Sequence, residues 1–222
     1  MVLTLGTTMA CIIFTAMGSA LAQLRRGAVE VAVVRRFAPY VAPATAVGAV
    51  AATLLKVAFL KFGFAAFCIY SATRMLFFSK NIAKPGACMA TTPASVHGSF
   101  FGVLCGMLGV GGANLFVPFM MKRNIDARRA MATASALQLP IAAAGTLAYI
   151  AAGLFFGTAL PLGSLGYVYT PALAILVTSS MVLAPLGVKA AHALPVSTIK
   201  KVFAMFTALV GLKMAGLLPF LS

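Results

Sequence analysis

Carboxylates are nearly absent from this chain: Glu30 and Asp126 are the only acidic side chains among 222 residues. Neither lies within an apolar run, so the sequence offers no buried acid of the kind that relays protons through a membrane. HExxH, paired aspartates in apolar segments, GxSxG and Walker-type runs are missing too, and with them the residues that the common hydrolases and nucleotidases need. The connections between apolar runs are too short for a soluble catalytic domain, so the expectation is that this is not an enzyme. Cys11, Cys68, Cys88 and Cys105 are widely separated and lack CxxC or Cys/His ligand spacing. That spacing suggests neither a zinc site nor a disulfide framework, and the expectation is that they act as small apolar residues. No cofactor and no metal is implied.

What the chain has in place of charge is oil. It is 62% hydrophobic and 9% charged, with a mean hydropathy of +1.06, whereas soluble chains are nearer half apolar and a quarter charged. The apolar residues fall in runs of about twenty, the length that crosses ~30 Å of hydrocarbon. This reads as an all-α polytopic membrane protein, because helices satisfy their own backbone in lipid and open strands do not. Seventeen Lys and Arg give a net charge of +15, but they cluster between the runs, in "RRGAVEVAVVRR", "KNIAK" and "KRNIDARR". That is the pattern of cytoplasmic loops facing anionic headgroups, not of a nucleic-acid interface. The first basic residue, Arg25, follows the first apolar run rather than preceding it, so no removable signal peptide is expected. His97 and His192 fall near segment ends and read as headgroup contacts.

Seven apolar segments are expected, at 2–23, 38–55, 62–79, 95–121, 130–153, 167–188 and 202–221. Basic residues follow the first segment (Arg25, Arg26, Arg35, Arg36), the third (Lys80, Lys84) and the fourth (Lys122, Arg123, Arg128, Arg129), placing all three connections inside. "LFFGTALPLGSLGYV" has none and belongs outside. The fourth segment must then begin and end on one face. At 27 residues it is too long for one crossing, about 40 Å as a helix, and too short for two. "CGMLGVGGANLFVP" (105–118) concentrates weak helix formers near its middle. The architecture is thus about six transmembrane helices plus a Gly-rich re-entrant or broken segment. "GSFFGVLCG" spaces Gly98, Gly102 and Gly106 for close helix contact, "GVGG" supplies the break, and Pro118 removes a donor from the return arm. A kinked, tightly packed single helix is the other reading of this stretch.

"LGTTMACIIFTAMGSALAQLRRG" (5–27) lies over "MATASALQLPIAAAGTLAYIAAG" (131–153), with Thr7 on Thr133 and Gly27 on Gly153. Pro39 then meets Pro171, and Arg74 meets Lys213. The loops that follow the two copies differ in charge, four arginines against none, which indicates two inverted repeats, a hallmark of secondary transporters. The division is 1–79 for the first repeat, 80–94 for a cytoplasmic linker and 95–222 for the second repeat. Only six residues precede Thr7, where the second repeat has a Gly-rich hairpin, so the first repeat is incomplete. The chain reads as N-terminally truncated, through a misassigned start, a fragment or real loss.

Anion binding calls for donors rather than carboxylates, and amides at a broken helix supply them. The candidates are Gly109, Gly111 and Gly112, which admit close backbone approach, with Gly106 and Pro118 flanking them and the Asn114 amide beside them. Thr133 and Ser135 open the next helix, Thr7 and Thr8 are their repeat partners, and Gln138 lies one turn on. Hydroxyls in such helices often bond the carbonyl four residues back instead. Cys105 sits at the same stretch, as packing or as a contact for a sulfur compound.

"FFGVLCGMLGVGGANLFVPFM" followed by "ARRAMATASAL" resembles the Gly-rich motif of the sulfite exporter TauE/SafE family. "LGTTMACIIFTAMGSALAQLRRGAVEVAVVRRFAP" is similar to that family's first-repeat helix and RRGxV loop. The resemblance covers nearly the whole chain. It implies a multi-pass permease of the bacterial inner membrane for small anions such as sulfite, sulfoacetate and related organosulfur compounds. Ala113 and Asn114 depart from the family pattern, which continues with glycine. A transport-inactive accessory or structural subunit, and an anion channel, are the alternatives. Transport direction, coupling ion and homo-oligomer formation stay open.

Overall fold

The computed structural model describes residues 1–25, 27–77, 93–121, 123, 125–156, 161, 163–193, 205 and 209–211. Among them the order is α1 (Val2–Arg25), α2 (Val31–Leu54), α3 (Val57–Phe77), α4 (Ala94–Leu108), α5 (Ala113–Met121), α6 (Ala127–Phe156), β1 (Ser164–Leu165), β2 (Val168–Tyr169) and α7 (Thr170–Ala193). Val2–Arg25, Val31–Leu54 and Arg129–Phe156 are long and apolar enough to cross a membrane. Val57–Tyr70, Ala94–Leu108 and Thr170–Met181 are shorter apolar stretches. This is an all-α membrane architecture with one small antiparallel hairpin, Ser164 opposite Tyr169 and Leu165 opposite Val168.

The helices begin and end differently from the expected segments, for reasons that are local. α2 starts at Val31 rather than residue 38 and carries Arg35 and Arg36, both exposed, within the helix. Long basic stems let a charge leave a helix sideways, so it need not end the helix. α6 likewise starts at Ala127, which puts Thr133 and Ser135 about two turns inside the helix rather than at its opening. Residues 167–169, expected within the sixth segment, belong to the β-hairpin instead. Gly163 (φ 84°) and Gly166 (φ 57°) turn the chain there. Cys88, the linker 80–94 except its last two residues, and most of 202–221 lie outside the described residues.

The described residues within Met1–Leu54 and Ala83–Ser179 form one compact unit, and those within Leu55–Ile82 and Ser180–Ser222 a second. Grouping by contact is not grouping by repeat, since the first unit draws on both proposed repeats. In the second unit Gly211 sits against Ala65 and Cys68 of α3.

Small residues make up much of the first unit's core, beside a few large ones such as Tyr149, Phe37 and Phe116, and many other large residues face outward. Ala10, Ala16, Ala20, Ala49, Ala52, Ala132 and Ala142 are buried, while Phe14, Leu21, Val47, Leu147 and Leu154 are exposed, and Phe155 is 82% exposed. Lipid tails are as apolar as leucine, so helices in a membrane gain by close backbone approach between small residues. α2 and α4 show this along their length. Gly98 faces Tyr40 and Val41, Gly102 faces the Val41 carbonyl, and Gly106 faces the backbone of Thr45 and Ala49. The expected contact role of these three glycines is met, and α2 is the partner. α1 meets α6 in the opposite sense: Gly6 lies against Tyr149, and Met9 lies against Gly145. These two helices therefore run antiparallel.

Candidate functional site

The broken segment is real, and its geometry follows from its glycines. α4 ends at Leu108, and Gly109 turns left-handed at φ 66°. Its N–H and that of Val110 both donate to the Cys105 carbonyl, the latter at 3.1 Å. This termination favours glycine because a Cβ is disfavoured in the left-handed region. Gly112 (φ 80°) then starts the second arm, and its carbonyl accepts the Leu115 and Phe116 amides, each at 2.9 Å.

The two arms fold back on one another. His97 lies tilted against Phe119 of α5 at 5.0 Å, Phe101 of α4 meets Phe119 edge-on at 5.3 Å, and Phe101 also meets Phe116 edge-on at 5.1 Å. Phe37 of α2 closes this aromatic cluster at 6.2 Å from both Phe116 and Phe119. The start of α4 therefore lies beside the end of α5. His97 is half-buried in this cluster with Nδ1 3.1 Å from the Pro93 carbonyl, so its ring is held by protein.

At the break itself, Gly109, Gly111 and Gly112 are buried. A Cβ at residue 111 would stand 2.9 Å from Nε2 of Gln138, so the missing side chain makes room for that amide. Cys105 Sγ and Ile141 Cδ1 lie against Gly112, and Leu5 of α1 lies against Gly109. Among the described residues, the backbone N–H groups of Gly111, Gly112 and Ala113 have no acceptor, and the Gln138 side chain has no hydrogen-bond partner. Three consecutive amides at the start of a helix, beside a carboxamide, form a cluster of donors without a local carboxylate. Glu30 lies instead by the start of α6, paired with Arg129 at 2.7 Å.

The structure thus unites Gly109, Gly111, Gly112 and Gln138, with Cys105 beside them, and gives Gly106 and the four hydroxyl residues other partners. Gly106 is turned toward α2. Asn114 lies in the first turn of α5, its side chain outside what is described, and Pro118 is half-buried within that helix. The hydroxyls of Thr7, Thr8, Thr133 and Ser135 all donate to the carbonyl four residues back, at 2.7 Å for Thr7 and Thr133 and 3.0 Å for Ser135. Thr7 and Thr133 also accept one backbone N–H each, at 3.0 Å, from Tyr169 and Glu30 respectively. Those donors are the residues directly before α7 and α2.

One residue at the site is not singled out by the sequence patterns. Tyr149 is fully buried, and its hydroxyl donates to the Gly106 carbonyl at 2.7 Å. The signal that could have found it is a single hydroxylated aromatic within "AAAGTLAYIAAG", where its immediate neighbours are small or aliphatic.

A family model described as sulfite exporter TauE/SafE matches residues 1–214 of this chain. A protein of Haemophilus influenzae described as "Probable membrane transporter protein" is 29% identical over 210 residues, which is 95% of this chain and 79% of that one. No solved structure matches.

Proposed function

The chain belongs to the sulfite exporter TauE/SafE family, and from that premise we propose that it is a membrane permease for small anions. Its substrates in this reading are sulfite or organosulfur compounds such as sulfoacetate, and it sits as a multi-pass protein in the bacterial inner membrane. The observation that carries the reading is the row of unpaired amides at Gly111, Gly112 and Ala113 beside the Gln138 carboxamide. Backbone N–H groups at a helix start favour negative charge through both hydrogen bonds and the helix dipole. A tetrahedral or pyramidal oxyanion has several acceptor oxygens to meet them, and no nearby carboxylate opposes it.

Non-helical backbone at membrane depth is tolerated only against protein or a water-filled path. The folded-back arms of α4 and α5 act here as a re-entrant hairpin, entering and leaving on the face that carries Glu30 and Arg129. The antiparallel run of α1 against α6 and the matching roles of Thr7 and Thr133 support two inverted repeats. Arg25, Arg35, Arg36, Arg123 and Arg129 set the cytoplasmic side against anionic headgroups. In this reading Thr7, Thr8, Thr133 and Ser135 shape the helices around the pathway, while Gly109, Gly111, Gly112, Asn114 and Gln138 line it. Gly106 and Pro118 set its two arms.

The test is sulfite flux in proteoliposomes of the purified chain. Saturable flux that sulfoacetate competes for, and that Gln138→Glu lowers at least tenfold, is the expected result. Flux no greater than in empty vesicles, from protein shown to be folded, would favour a transport-inactive subunit. Flux that never saturates would favour a channel.

A further inference from the structure

Ending a helix inside a membrane creates a specific difficulty. The last four carbonyls lose their partners, and hydrocarbon offers no water to replace them. In α4 the left-handed turn makes this concrete. The Val110 amide, which in a continuing helix would bond the Gly106 carbonyl, bonds that of Cys105 instead, at 3.1 Å. The Gly109 amide goes to Cys105 as well. The Gly106 carbonyl is thereby set free, and the Tyr149 hydroxyl takes it at 2.7 Å.

Tyr149 is itself held from several sides. Its side chain is fully buried, its own carbonyl accepts the Tyr167 amide at 3.3 Å, and its Cβ lies beside Gly6 of α1. Gly106 is equally constrained, with its α-carbon face against the backbone of Thr45 and Ala49. A fixed donor thus meets a fixed acceptor three residues before the turn.

We propose that Tyr149 is a positioning residue: its hydroxyl stands in for the missing helical partner of Gly106, which locks the turn at Gly109 and aims the Gly111–Ala113 amides. It does not touch the solute. The role in transport rests on the anion-binding reading of the break, but the role in holding the turn does not.

The experiment uses the full chain in proteoliposomes and compares wild type with Tyr149→Phe, each with and without Val110→Cys as a reporter. Removing the hydroxyl is expected to raise the KM for sulfite about fivefold, as loss of one net hydrogen bond predicts, with the maximal rate within twofold of wild type. It is also expected to speed reaction of the reporter thiol with a small aqueous reagent at least threefold. An unchanged KM together with unchanged labelling overturns the proposal, as does a fall in maximal rate at constant KM. Absence of sulfite flux in wild type sinks the transport reading alone, and the labelling ratio then decides the case for Tyr149. Should Tyr149→Phe fail to accumulate, amide exchange in wild type decides it. Gly109 and Val110 are expected to be as protected as the middle of α6. Exchange as fast as that of Gly27 and Ala28 overturns the proposal.

Discussion

Thr133 holds the backbone amide of Glu30 at 3.0 Å, although the two residues lie 103 positions apart in the chain. Its hydroxyl proton is already committed to the Arg129 carbonyl, so the same oxygen serves its own helix and the entry to α2. Thr7 does the equivalent for Tyr169 at the entry to α7. Each of the antiparallel helices α1 and α6 thus pins the start of another helix with one threonine.

Thr133→Val keeps the shape and removes the hydroxyl, leaving the Glu30 amide without this acceptor in a fully buried setting for the side chain. An unsatisfied polar group of this kind costs about 1–3 kcal/mol. Thermal unfolding in detergent should show a lower midpoint for Thr133→Val and recovery for Thr133→Ser. A normal midpoint combined with lost sulfite binding would instead make Thr133 a ligand.

Glu30→Gln tests the ion pair separately. The Arg129 and Glu30 side chains are 61% and 36% exposed, so solvent screens their attraction and the pair is worth less than about 1 kcal/mol. The expected outcome is near-normal stability and near-normal sulfite flux at any salt concentration. Loss of substrate-dependent current in Glu30→Gln would show that the carboxylate couples ions to transport.

Gly106→Ala and Gly18→Ala form a matched pair on membrane helices. A methyl at 106 would press on the Thr45 carbonyl and stand 2.8 Å from the Ala49 nitrogen, whereas at 18 it meets nothing within 4 Å. Backbone cannot yield as a side chain can, so Gly106→Ala should destabilise by about 1–3 kcal/mol. Gly18→Ala should stabilise by about 0.5–1 kcal/mol through helix propensity. Unfolding midpoints of the two variants in the same detergent check both signs.

Gly112→Ala addresses the break directly. Its φ of 80° strains any L-residue, and the added methyl would crowd Ile141 and Cys105 at 3.0 and 3.1 Å. The strain is about 1–2 kcal/mol, and relief would come from reshaping the start of α5. Sulfite flux should fall at least tenfold while circular dichroism shows unchanged helix content. Retained flux would separate the amides of this turn from transport.

The break is legible in the sequence because left-handed turns and helix starts are local events, and Gly109 and Gly112 declare them within a few residues. The shared end of its two arms is also readable, from basic residues alone, since charge bias is set by each loop. What local patterns cannot give is partnership. Nothing adjacent to Gly106 says that its carbonyl awaits Tyr149, or that Gln138 will lie against Gly111. The helix starts at Val31 and Ala127 are hidden for another reason: arginines suggest the ends of helices, although their long stems let them ride within the first turns.

The paired threonines bear on how the chain is built. The acceptor for the Glu30 amide is on residue 133, and the amide that Thr7 accepts is on residue 169. During synthesis the first two helices must therefore wait, incompletely fastened, until more than a hundred further residues have left the ribosome, and neither end of the bundle is secured before the other half arrives.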